Sequence, residues 1–322
     1  MKKSVLFICT FVYLFVASNA WSQDSSYKIK VGILNGPSCV PCANLMEKDS
    51  YEFSKYADPQ ALLPKLIKSE VDVGFLPVNV AVKVYNSSNH KIICAAVTGK
   101  GNLKLVTRNK NIKRLTDLNQ SVVQVAGRGA TPEYLFRYLL EKNNIVYDQN
   151  KSLKLDYSIP TAQIPAMLIS EKVEHAVLPE PFATIACMKS KDVYTAIDLQ
   201  KEYSYFAGKE NFPLTVMVVR SDFALEHQNE LEAFLNDYAV AAKECVKNPK
   251  NTARLCQKYD LGLSEAVVSA SIPKSNYVFV RAEKSVEEIE EFMNIFLEFE
   301  PSSIGGALPD SDFYYHGENF SQ

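Results

Sequence analysis

Cys39 and Cys42, within NGPSCVPCANLMEK (residues 35–48), form a C-x-x-C between an apolar run and a run with helical spacing. Thiols so placed suit disulfide exchange when a helix N-terminus favours the thiolate, or metal binding when a second thiol or histidine pair completes the site. The other cysteines of the chain body, Cys94, Cys187, Cys245 and Cys256, lie in unrelated runs. Cys245 and Cys256 are eleven residues apart, which leaves a disulfide across a helix–helix turn open, as it does for Cys39 and Cys42. His90, His175, His227 and His316 show no metal-ligand spacing, and His175 sits in a strand-like run as a sheet residue. No metal or cofactor is therefore expected. The sequence has no G-x-x-x-x-G-K-[ST] and no G-x-S-x-G, and Gly127-Arg128-Gly129 lacks the third glycine of a dinucleotide loop. Glu180 is an acid at a strand-to-helix junction with no evident titratable partner. Binding thus leads over catalysis, with Cys39 and Cys42 lining or supporting a binding loop and thiol exchange as the alternative.

The elements that must position these residues alternate strand and helix. Strand-like runs at 27–34, 51–57, 71–77, 91–99, 102–108 and 121–127 are interleaved with helix-like runs at 60–68, 78–86 and 132–142. This alternation predicts an α/β chain with parallel strands. Residues 51–79 can be laid on residues 153–181 without a gap: Leu66 on Leu168, Ile67 on Ile169, Val71 on Val173 and Leu76-Pro77 on Leu178-Pro179. One supersecondary unit used twice at this long offset predicts two similar lobes. The first would comprise residues 27–107 and 214–322, the second residues 108–213. Strands near 103–110 and 212–220 would cross between them as a hinge. Beyond 221 the pattern is mostly helical.

In such sheets ligands sit past the carboxyl ends of strands, where helix N-termini present free N–H groups. Four junctions qualify: Gly36-Pro37-Ser38, Pro77-Val78-Asn79, Gly129-Ala130-Thr131-Pro132 and Pro179-Glu180-Pro181. Thr131 before Pro132 reads as an N-cap. The repeat places Val78 and Asn79 opposite Glu180 and Pro181, so equivalent loops are expected to face each other.

The N-terminus, MKKSVLFICTFVYLFVASNAWSQ, has a basic start, a short apolar run and small residues at Ser18–Ala20. It reads as a secretory signal peptide over residues 1–20, with a second cleavage site extending it to 22. Cys9 lies too early for a lipid-anchored start, so a soluble exported protein is expected. The chain has 35 basic and 37 acidic residues. Loss of Lys2 and Lys3 with the leader makes it more acidic, which argues against nucleic acid as a partner. With 47% hydrophobic residues, the remaining length supplies two cores.

The fragments KSEVDVGFLPVNVAVKVYN (68–86), GRGATPEYLFRYLL (127–140), HAVLPEPFAT (175–184) and IGGALPDSDFYY (304–315) give the chain a family likeness. It resembles the periplasmic substrate-binding proteins of ABC importers, in the branch serving nitrate, taurine, aliphatic sulfonates and thiamine-precursor pyrimidines. The resemblance implies a two-lobed type II periplasmic-binding-protein fold, each lobe a mixed sheet flanked by helices, joined by a two-strand hinge. It implies a monomer that captures a small polar solute and delivers it to a membrane permease driven by a separate ATPase, without a cofactor. Carried over, it puts Gly36, Pro37, Ser38, Cys39, Asn79, Thr98, Gly99, Gly129, Ala130, Thr131 and Glu180 on the cleft. Cys39 and Cys42 depart from the small or aliphatic residues expected there. Arg128 is the only arginine near a candidate loop for an anion. Glu180 instead suits a ligand with donor groups, such as an aminopyrimidine or a cation. An enzyme on the same bilobal fold is the remaining alternative.

Overall fold

The computed structural model describes residues 27–36, 38–149 and 152–317. The expected signal peptide and Pro37 lie outside the described residues. Among the described residues, eleven strands form two sheets. In chain order they are β1 (Ile29–Leu34), β2 (Tyr51–Tyr56), β3 (Val73–Pro77), β4 (Ile92–Lys100), β5 (Leu103–Thr107), β6 (Val122–Val125), β7 (Lys154–Asp156), β8 (His175–Pro179), β9 (Tyr194–Asp198), β10 (Pro213–Arg220) and β11 (Tyr277–Arg281). The first sheet has the order β11-β4-β10-β3-β1-β2, the second β7-β6-β8-β5-β9.

The two sheets repeat one plan. In the first, β1 runs parallel to β2 and β3, and β10 is inserted antiparallel between β3 and β4. In the second, β6 runs parallel to β7 and β8, and β5 is inserted antiparallel between β8 and β9. Thus β6, β7 and β8 answer to β1, β2 and β3, and β5 answers to β10. The internal repeat follows this correspondence: Val73–Pro77 and His175–Pro179 coincide residue for residue at the offset read from the sequence. Each antiparallel strand is the one that has just crossed from the other lobe.

Both sheets are covered by helices whose apolar stripes face inward. The helix Pro59–Ile67 begins at Asp58, whose carboxylate accepts the Ala61 N–H at 2.9 Å. It buries Leu62 and Leu66 on the sheet. Gly32 makes that approach possible, because a Cβ there would lie 2.4 Å from Leu62 Cδ1. At the end of the sheet remote from the crossings, fully buried Asp72 accepts from the Lys30 N–H at 2.9 Å, from Tyr27 Oη at 3.0 Å and from Arg220 Nη2 at 3.2 Å.

One boundary is corrected. The first lobe expected from the sequence takes in Leu103–Thr107, but β5 pairs from Leu103↔Pro179 to Thr107↔His175 in the second sheet. The strands ending at Lys100 and starting at Leu103 are separated only by Gly101-Asn102 and do not pair with each other. Instead β4 pairs with β10 and β11, while β5 pairs with β8 and β9. The crossings are the short segments on either side of these strands. Gly101 N–H donates to Phe212 O at 3.0 Å and to Asn211 Oδ1 at 2.9 Å, so the outward and return passages run side by side. A side chain at Gly101 would lie 2.5 Å from the Phe212 ring. Asn276 holds the same point, donating from Nδ2 to Gly101 O. No helix among the described residues is long and apolar enough to cross a membrane.

Candidate functional site

The loop after β1 is tied back on itself. Ser38 Oγ accepts the Leu34 N–H at 3.0 Å and donates to Leu34 O at 3.2 Å. Gly36 has φ +118°, and a Cβ there would lie 2.9 Å from the Phe182 ring of the second lobe. Glycine is needed on both counts. The run of helical spacing after this loop forms a single turn, Cys39–Cys42, followed by a 3₁₀ turn at Ala43–Leu45.

The C-x-x-C is buried rather than presented. Cys39 and Cys42 are 2% and 0% exposed, and Cys39 Sγ donates to Gly36 O at 2.9 Å. Burial pushes the Cys39 thiol up to about 11 and the Cys42 thiol well above its ordinary range, where neighbouring Cys39, Cys256 and Cys245 add to the effect. A thiolate nucleophile requires the opposite shift. Cys39, Cys42, Cys245 and Cys256 are all free thiols, so neither of the disulfides left open by the sequence is present. Among the described residues no group of three or more His, Cys, Asp or Glu is placed to hold a metal.

Asn79 stands in the first turn of the helix Val78–Ser87 and is fully buried. Its Nδ2 donates to Gly129 O and Ser303 O, each at 3.1 Å, and its Oδ1 accepts from Thr131 Oγ1 at 2.9 Å. Gly129 and Thr131 belong to the second lobe, so this amide joins the lobes directly. Thr131 is not the expected cap. It is the first residue of the helix Thr131–Lys142, Ala130 holds the cap position, and the Gly129 N–H is satisfied by Glu133 Oε2 at 2.7 Å.

The expectation that equivalent loops face each other is overturned. The loop after β3 meets the loop after β6 through Asn79. The loop after β1 meets the loop after β8 through Gly36 and Phe182. Because β3 answers to β8 and β1 to β6, these two contacts are images of each other. Two similar lobes related by an approximate two-fold pair each loop with the partner of its equivalent, as in an isologous interface.

Glu180 follows β8 directly and is 2% exposed. Its Oε2 accepts the Thr184 N–H at 3.1 Å. Burial raises its carboxyl above the usual range, against the bonds from Thr184 and the more distant charges of Lys274 and Lys104. Lys274 reaches over from the first lobe to Thr184 Oγ1 at 3.4 Å, and Lys104 is paired with Asp198 at 2.7 Å.

Thr98 and Gly99 end β4, and Thr98 Oγ1 donates to Thr215 O at 3.3 Å. With Ser38 they line a narrow cavity completed by Asn102, Thr215, Tyr238, Ser275 and Tyr277, of about 10 Å³, room for about one water. It lies at the carboxyl ends of β1 and β4, beside the crossing, where open α/β sheets bind ligands. Among the described residues no charged side chain lines it. Of the residues expected on the cleft, Ser38, Thr98 and Gly99 meet here. Asn79, Gly129 and Thr131 form the lobe contact, Ala130 lies buried between the latter two, Gly36 abuts Phe182, and Cys39 supports its loop from beneath. Arg128 is exposed and away from the cavity walls. Sequence reasoning missed Asn102, Thr215, Tyr238, Ser275 and Tyr277. Tyr238 sits within helical spacing that reads as core, whereas Asn102 beside Gly101, between two strand-like runs, carried a usable signal. A larger open pocket between Leu66 and Arg220 lies where the strands of the first sheet begin, the wrong end for this kind of ligand site.

The fold is that of two-lobed periplasmic binding proteins. Over 89% of this chain and 98% of the other, it is similar to an ABC transporter structure from Parabacteroides distasonis, at 25% identity and TM-score 0.73. It is also similar to the periplasmic aliphatic sulphonate binding protein SsuA from Escherichia coli, at 15% identity and TM-score 0.64 over 84% and 86% of the two chains. The desulfurization enzyme DszB has the same fold, at 12% identity and TM-score 0.60 over 87% and 94%. No curated protein matches the sequence. The model of the NMT1-like family matches residues 51–259, more than half of the chain, and the protein belongs to that family.

Proposed function

We propose that this protein is the exported solute-binding component of an ABC import system. A signal peptide over residues 1–20 sends it to the periplasm, where as a monomer it captures a small polar solute between its lobes. It then hands the solute to a membrane permease driven by a separate ATPase. The observation that carries this reading is the uncharged polar cavity at the strand ends beside the hinge, with the lobes drawn together over it by Asn79, Gly129 and Thr131. Such a site binds and encloses. General acid–base chemistry is served best by a group that titrates near the working pH; among the described residues the cavity walls present amides, hydroxyls and the phenols of Tyr238 and Tyr277, which burial holds well above their ordinary range. The likeness to DszB keeps an enzyme as the second reading. The buried thiols disfavour thiol–disulfide exchange.

The test is thermal unfolding of the mature chain against nitrate, sulfonates, taurine, aminopyrimidines, vitamins and amino acids. A ligand at about 100 times its dissociation constant stabilises by about 2.7 kcal/mol, a shift of a few degrees at this size. A shift with one chemical class, without turnover of the compound, is the expected result. Conversion of the compound would sink the binding reading in favour of the enzyme.

A further inference from the structure

The outward crossing is gripped by one short segment of the first lobe, Ser275-Asn276-Tyr277. Tyr277 stands opposite Gly99 in the sheet, and the Lys100 N–H donates to Asn276 O at 3.0 Å. Asn276 Nδ2 donates to Gly101 O, and Asn102 Nδ2 to Ser275 O at 3.1 Å. The last bond fixes the orientation of the Asn102 amide, since only its nitrogen can donate to a carbonyl. Asn102 Oδ1 then has no partner among the described residues, although Asn102 is buried. Tyr277 Oη is buried too and likewise has no hydrogen-bond partner among them. The first is an acceptor and the second can donate. Both residues line the narrow cavity of about 10 Å³ beside Thr98 and Gly99. A space of that size holds one water, and a buried water commonly makes about three hydrogen bonds. Ser38 Oγ and Thr98 Oγ1, on the same walls, have given their protons to Leu34 O and Thr215 O, which leaves lone pairs free to accept.

We infer that the cavity is a single-water site. One ordered water accepts from Tyr277 Oη, donates to Asn102 Oδ1 and gives its second proton to Ser38 Oγ or Thr98 Oγ1. An unmet buried donor and an unmet buried acceptor are each costly, and one bridging water meets both. The water completes the grip of Ser275-Asn276-Tyr277 on the crossing. The outward passage is thereby fastened to the first lobe as far as Asn102, so it bends beyond that residue, at the entry to β5. Every wall residue belongs to the first lobe or to the crossing, so the water is expected with the lobes open as with the lobes closed. The inference stands apart from the solute-binding reading and does not depend on it.

A high-resolution crystal structure of the solute-free mature protein tests this directly. The expected result is one water within hydrogen-bond distance of both Tyr277 Oη and Asn102 Oδ1. No water at that point overturns the inference, and this measurement needs no variant to fold. Thermal unfolding of Tyr277→Phe gives an independent answer, because the sign of the effect differs between the two cases. If the hydroxyl holds the water, its removal leaves Asn102 Oδ1 poorly met and lowers the midpoint by about 2 °C. If the hydroxyl has no partner, phenylalanine removes an unmet donor; the midpoint then stays or rises, and the inference is overturned. In an Asn102→Ala background, where the bridge is already broken, Tyr277→Phe should lower the midpoint less. An equal drop in both backgrounds also overturns the inference.

Discussion

At the scale of single residues, the C-x-x-C shows how little a spacing says without burial. Cys39 and Cys42 have the sequence context of a redox pair, yet both lie under the loop after β1 with their thiols held protonated. Their surroundings differ in a way that can be measured. Cys39 Sγ has an acceptor in Gly36 O at 2.9 Å, which a serine hydroxyl would also reach. Cys42 has Cys39, Cys245 and Cys256 among its neighbours, and a hydroxyl there would be buried against sulfur and apolar walls. Cys39→Ser is therefore expected to cost less than about 1 kcal/mol, and Cys42→Ser about 1–3 kcal/mol for a poorly satisfied buried hydroxyl. Urea unfolding of the two variants decides it, and equal costs would show that the Gly36 contact contributes nothing. Neither variant should alter solute binding, whereas a thiol oxidoreductase would lose all activity in both.

At the scale of elements, the strands and helices were largely legible because hydrophobic periodicity reports the face each element buries. The repeated strand–helix–strand unit was legible for the same reason. What could not be read was pairing. A crossing near residue 103 could be read, but not the sheet that the strand after it joins, and only the tertiary arrangement sends β4 and β5 to different sheets. Half of the cavity was hidden likewise: Thr215, Tyr238, Ser275 and Tyr277 come from segments more than a hundred residues beyond Thr98, and no spacing connects them. Close packing was equally silent in sequence, and Gly32 is the sharpest instance. A methyl there would meet Leu62 at 2.4 Å, with Val71 Cγ1 at 3.1 Å and the Tyr56 ring at 3.3 Å. The strand must shift or the helix Pro59–Ile67 must lift. Gly32→Ala should destabilise by about 1–3 kcal/mol through overpacking, in spite of alanine's smaller entropic cost in a strand. A midpoint of thermal unfolding unchanged from the parent would refute the contact.

At the scale of the whole molecule, the lobes meet through apolar contacts such as Tyr134 on Phe296 and through a few polar bonds. Thr131 Oγ1 to Asn79 Oδ1 spans the cleft at 2.9 Å, and Arg137 Nη2 to Glu300 Oε2 spans it at 3.2 Å. Each bond exists only while the lobes touch, so each weights the balance between open and closed forms rather than the stability of either lobe. Ligand affinity in such a protein carries the population of the closed form as a factor. Thr131→Val keeps the shape and removes the donor. Asn79 Oδ1 is then left buried and unpaired in the closed form but can meet water in the open one. A net loss of about 0.5–1.5 kcal/mol from closure corresponds to about three- to tenfold weaker binding. Small-angle scattering of the unliganded variant should give a larger radius of gyration than the parent, and saturating ligand should bring the two together. Lobe stability, followed by urea unfolding, should change much less than affinity. If the radius is unchanged and affinity is intact, the Asn79–Thr131 bond does not govern closure. The burden then passes to Arg137 and Glu300, and Arg137→Met becomes the variant that must open the molecule.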